Sequence, residues 1–98
     1  MKQFKSDGRY KFYSNGLHYI AEFGWVALEE RRLFAAILKQ LEAMHGPVTY
    51  VVQNEGGYSY RRYNENYRSE QNRKAKRRRI YLRDESDLTL ALLRADMS

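Results

Sequence analysis

The chain contains no cysteine, so disulfide staples, thiolate zinc sites and a cysteine nucleophile are excluded by inventory. No apolar run approaches the roughly 18 residues that span a bilayer. The opening stretch MKQFKSDGRYKFYS also lacks the apolar core of a secretory signal. These absences predict a cytoplasmic protein with no membrane contact. Gly56-Gly57 lacks the lysine and serine of a phosphate-cradling P-loop and reads as a turn. With 98 residues there is room for one domain, residues 1–98, and no second catalytic unit.

Positive charge is abundant and unevenly placed. Between Tyr58 and Arg83, ten basic residues face only Glu65 and Glu70, giving +8 in a chain whose net charge is +6, so the remainder sums to −2. A nearly neutral body therefore carries one cationic segment, and a field concentrated in this way attracts polyanions. Nine tyrosines are present, and several are interleaved with these arginines.

Asn15-Gly16 lies between two alternating aromatic runs and predicts a hairpin with a two-residue turn. Its register would set Ser14 opposite Leu17, Phe12 opposite Tyr19 and Tyr10 opposite Ala21. Apolar residues at Val26, Leu33, Phe34, Ile37, Leu38, Leu41 and Met44 make one helical stripe, closed by Gly46-Pro47. Val48–Gln53 and Tyr58–Tyr63 read as a third and fourth strand. Residues 64–76 hold no aliphatic side chain except Ala75 and leave a solvated helix, a long loop and a disordered arm open. Arg79–Arg83 reads as a last strand, and Asp84, Glu85, Ser86 and Asp87 precede an apolar helix as capping and dipole-complementing residues. The predicted fold is α+β: an antiparallel sheet of four or five strands covered by one long helix and a short C-terminal helix, with a basic, tyrosine-rich arm or loop at 58–79. The predicted core is Tyr10, Phe12, Tyr19, Ala21, Phe23, Leu33, Ile37, Leu41, Val51, Ile80, Leu82, Leu88 and Leu92.

The closing stretch RRRIYLRDESDLTLALLRA, residues 77–95, is similar to the strand, acidic cap and apolar helix that end small uncharacterised proteins of tailed phages. The resemblance implies a phage-encoded accessory factor acting on host machinery in the host cytoplasm. It transfers no functional residue.

Catalysis and metal binding find little support in this sequence. His18 falls on the outer face of the predicted hairpin, and His45 sits at a helix C-terminus, where the dipole favours a cation without any chemistry. Asp84, Glu85 and Asp87 are explained by helix capping, without a metal. No catalytic residue, metal or cofactor is expected. The basic segment differs, because arginine forks suit phosphate oxygens and tyrosine faces suit unpaired bases. The expected function is a non-enzymatic module that engages RNA or DNA through Tyr58, Tyr60, Arg61, Arg62, Tyr63, Tyr67, Arg68, Arg73, Lys74, Lys76, Arg77, Arg78 and Arg79. The alternative is a phage-encoded inhibitor or adaptor whose arginines dock on an acidic surface of a host protein such as a nucleic-acid enzyme, since carboxylates accept the same fork. If about five phosphates are neutralised, the log–log dependence of affinity on salt has a slope of about −4.5 on duplex DNA and about −3.5 on a single strand. Titration of a labelled oligonucleotide across salt concentrations checks this, and a flat response removes the nucleic-acid reading.

Overall fold

The computed structural model describes residues 1–97. The elements are β1 (Lys2–Lys5), β2 (Tyr19–Phe23), α1 (Leu28–His45), β3 (Thr49–Gln53), β4 (Ser59–Tyr63), β5 (Tyr67–Asn72), β6 (Arg77–Leu82) and α2 (Glu85–Met97), with a 3-10 turn at Tyr13–Asn15. Four strands form an antiparallel sheet in the order β1-β2-β6-β5, and β3 pairs with β4 in a separate antiparallel hairpin. The class is α+β, with the long and the short helix packed on the four-stranded sheet.

Strand alternation divides the buried residues between two faces. On the helix face, Ala21 and Phe23 of β2, Ile80 and Leu82 of β6 and Tyr67 of β5 meet Phe34, Ile37 and Leu41 of α1 and Leu88 and Ala91 of α2. Each large apolar side chain buried there contributes about 1.5–3 kcal/mol. The stripe on α1 is centred on Phe34, while Leu33 sits half-buried at its margin. On the opposite face Ile20 and Tyr81 pack with Leu17, Phe4, Tyr10 and Phe12, so residues 6–18 form a lid over the sheet.

That lid replaces the predicted Asn15-Gly16 hairpin. The partner of β2 is β1, with Phe4 opposite Ile20 and Lys5 opposite Tyr19, and the Ser6 N–H extends the ladder to the His18 carbonyl at 2.7 Å. Residues 10–13 are needed as a second apolar layer, because Ile20 and Tyr81 leave that face uncovered otherwise. The turn tendency of Asn15-Gly16 is still used. Gly16 closes the 3-10 turn at φ +86°, and a Cβ there would come within 2.8 Å of the Arg83 guanidinium.

Three further expectations change. The third and fourth strands form, but they leave the sheet, and Val51, expected in the core, is 68% exposed. Residues 64–76 are neither helix nor arm, because they supply β5 and a tight turn into β6. The basic stretch at 58–79 is accordingly three strands, with β6 at the centre of the sheet.

The hairpin is fixed to the body at its base. The last carbonyls of α1 lack intrahelical partners, and Gly46, at φ +88°, turns the chain away from them. The buried Asn64 amide donates to the carbonyls of His45 at 2.8 Å, Pro47 at 3.2 Å and Gly46 at 3.4 Å, and the Tyr67 hydroxyl donates to Gly46 at 2.9 Å. His45 Nε2 lies 2.8 Å from Asp87 Oδ2 and ties α1 to the start of α2. Replacing Asn64 with alanine leaves helix-end carbonyls without a donor, and a loss of about 1–3 kcal/mol is expected in urea unfolding.

Candidate nucleic-acid interface

The middle of the basic segment is consumed by the fold. Arg78 is 6% exposed. Its Nη1 donates to the Trp25 carbonyl at 2.7 Å, and its guanidinium lies 4.0 Å from the Trp25 ring centre. Arg79 donates to Glu22 Oε2 at 2.7 Å and lies 5.3 Å from the Tyr10 ring centre. Lys2, Glu22, Arg79 and Glu70 stand in register across all four strands, so charge alternates along one rung. Burial pushes the Glu70 carboxyl up, but hydrogen bonds from Lys11 at 2.7 Å and the Tyr81 hydroxyl at 2.8 Å outweigh it and hold its pKa below the ordinary value. Arg68 is held between the rings of Tyr63 at 3.8 Å and Phe12 at 4.7 Å, an internal cation–π sandwich. Arg83 donates to the carbonyls of Glu65 at 2.9 Å and Asn15 at 3.0 Å.

Four of the sequence-predicted site residues are corrected by this arrangement. Tyr67 is 2% exposed and belongs to the core. Strand alternation sends its ring to the helix face, and burial raises its hydroxyl pKa. Arg78 faces the same side and is spent on backbone carbonyls. Arg68 and Arg79 are half-buried and held by rings and a carboxylate.

The remaining nine fall into two groups at opposite ends of β5, about 17 Å apart at 3.3 Å per residue. One group is the β3–β4 ribbon, whose strands pack extensively only with each other. Its tip is a turn in which Asn54 Oδ1 accepts the N–H groups of Gly56 and Tyr58 at 3.1 and 3.0 Å. Tyr58 is 75%, Tyr60 45% and Tyr63 48% exposed, and Arg61 and Arg62 are exposed between them. Register puts Tyr60, Arg62 and Tyr50 on one face and Arg61 and Tyr63 on the other. The sequence reading missed Tyr50; period-2 pairing of 48–53 with 58–63 would have found it.

The second group is the β5–β6 turn, with Arg73, Lys74 and Lys76 exposed and Arg77 half-buried. Lys76 occupies the left-handed region at φ +51°, a conformation that favours glycine or asparagine. An open cleft of about 470 Å3 lies between this turn and the sheet end, lined by Lys2, Lys76, Arg77, Arg79, Glu22 and Glu30 among others. Glu22 is engaged by Arg79 and Glu30 by the N-terminal ammonium. Among the described residues, Lys2, Lys76 and Arg77 form no salt bridge, although the Arg77 charge helps to lower the Glu70 pKa, and with the N-terminal ammonium and Arg79 the cations lining the cleft outnumber its carboxylates.

Elsewhere, Asp84 accepts hydrogen bonds from the Ser86 amide and hydroxyl at 3.1 and 2.8 Å, which is helix capping. His18 stacks on Tyr13 with ring centres 4.4 Å apart. Among the described residues no three His, Asp or Glu side chains are grouped to hold a metal ion, and no helix is long and apolar enough to cross a membrane.

The division between structural and free arginines is testable on adjacent residues. Replacing Arg78 with methionine leaves the Trp25 carbonyl unpaired and should cost about 1.5–3 kcal/mol. Replacing Arg77 with glutamine should change stability by no more than about 0.5 kcal/mol. Urea midpoints of the two variants provide the comparison. Comparison with protein-family models, curated proteins and solved structures returns no match for this chain.

Proposed function

We propose that the protein is a non-enzymatic binding module for single-stranded nucleic acid, acting in the cytoplasm, in which ribbon tyrosines stack on unpaired bases and free cations hold phosphates. The observation that carries this reading is the β3–β4 ribbon itself. None of its residues belongs to either buried cluster, yet it exposes Tyr58 and Tyr60 together with Arg61 and Arg62, and also Tyr63, one face of which is taken by Arg68. Flat aromatic faces kept open to solvent suit bases that are themselves unstacked, whereas duplex bases offer only their edges. Arginine beside tyrosine adds a fork for the phosphate next to each stacked base.

Arg73, Lys74, Lys76 and Arg77 extend the path. The rung through Arg79 is balanced by Glu22 and Glu70, and Arg68 and Arg78 are engaged by rings and carbonyls, so the cations open to a ligand lie at the two ends of the segment. A strand passing between ribbon and turn would meet open cations at both ends and already engaged arginines between them.

Fluorescence anisotropy with a labelled single-stranded oligonucleotide tests the two roles separately. Tyr58→Ala and Tyr60→Ala should each weaken binding by about 1–3 kcal/mol with the salt slope unchanged. Lys74→Gln and Arg77→Gln should each reduce the magnitude of the slope by about 0.7. Wild-type binding by all four variants would overturn the assignment. A stoichiometric protein retained through nuclease treatment, with no oligonucleotide binding, would point instead to an acidic protein surface.

A further inference from the structure

Among the described residues four strands have an open edge, and three of them carry charge. In the main sheet β1 has Lys2 and Lys5, and β5 has Arg68 and Glu70. In the ribbon β4 has Arg61 and Arg62. Charged side chains on an edge strand deter pairing with another chain. The fourth, β3, reads Thr49-Tyr50-Val51-Val52-Gln53 with no charge, proline or glycine. It is β-branched and aromatic, and Val51 and Tyr50 are exposed.

The hydrogen bonds flanking this strand show which backbone groups are free. Asn64 N–H donates to the Val48 carbonyl at 2.8 Å and Asn54 N–H to the Tyr58 carbonyl at 3.0 Å. Antiparallel ladders alternate, so Val48, Tyr50, Val52 and Asn54 direct their backbone groups toward β4. Thr49, Val51 and Gln53 therefore aim their N–H and C=O groups outward, where no strand lies.

We propose that β3 pairs antiparallel with β3 of a second copy of this chain about a two-fold axis through Val51, fusing two ribbons into one four-stranded sheet. The strand is self-complementary in that register. Val51 meets Val51 of the second copy, Tyr50 meets Val52, and Thr49 meets Gln53, so apolar faces apolar and polar faces polar. A two-fold axis requires such an antiparallel, isologous contact. The arginines of β4 end on the two outer strands, three strand spacings or about 14 Å apart, beyond the screening length of about 8 Å at physiological salt. Pairing through β4 about an axis at Arg61 would instead set Arg61 directly against Arg61 of the second copy. The dimer also supplies the third and fourth strands that an isolated hairpin lacks. This inference does not depend on the nucleic-acid reading.

Analytical ultracentrifugation of nuclease-treated protein tests it. The sedimenting mass should double with rising protein concentration. Raising salt should strengthen the association, because each copy carries +6, whereas nucleic-acid binding responds in the opposite direction. Val51→Lys, and independently Val51→Pro, which removes an outward N–H and spares the β3–β4 ladder, should each abolish the doubling. Amide exchange at Thr49, Val51 and Gln53 should slow as concentration rises, with Tyr50 and Val52 unaffected. A wild-type monomer at about 1 mM protein, or doubling that survives in both variants, would overturn the proposal.

Discussion

Three consecutive arginines on the strand at the centre of the sheet set the main physical constraint on this fold. β6 is paired on both edges and covered on both faces, so Arg78 and Arg79 must be accommodated where water is scarce. Burying an unpaired guanidinium is costly, and breaking its contacts leaves the cost unrelieved. Alternation sends Arg78 to the helix face, where the chain between β2 and α1 brings two carbonyls and the Trp25 ring to it. It sends Arg79 to the lid face, where Glu22, Tyr10 and Phe4 surround it. The course of residues 6–18 and of the Gly24-Trp25 bend thus provides the partners that β6 needs.

The cationic run along the sequence does not become one cationic surface. The guanidiniums at its centre are engaged by carbonyls, carboxylates and rings, and its freely exposed cations separate toward the ribbon and the β5–β6 turn. A partner therefore meets two regions of exposed cations joined by a span whose arginines are already engaged within the fold. Separation of this kind favours an extended ligand over a small ion, because only an extended ligand reaches both.

Legibility from sequence followed how local each determinant is. α1 was readable because a three-and-four apolar spacing and the Gly46-Pro47 stop are local signals, and the β3–β4 pairing was readable from the Gly56-Gly57 turn. The partner of β2 was not. Asn15-Gly16 flanked by aromatics is a strong hairpin signal, but Tyr10 and Phe12 are spent on covering Tyr81, a residue some seventy positions away in the chain. β5 was hidden because Tyr67 is the only one of its residues to enter the core, while Arg68 and Glu70 find their partners on the lid and on Tyr63. At the candidate site, counting arginines located the charge. Strand parity, which depends on the β5–β6 register, decided which of them face solvent.

Both strands of the ribbon lie outside the two buried clusters, and its attachment is concentrated at Asn64 and Tyr63. Substitutions between Thr49 and Arg62 therefore fall on side chains whose loss opens no cavity and strands no buried charge. Evolution can rewrite this appendage at little thermodynamic penalty, while Arg78 and Arg79 in the sheet beneath it are held by partners that few other side chains could satisfy. Recognition is thus free to diversify on a scaffold that is not.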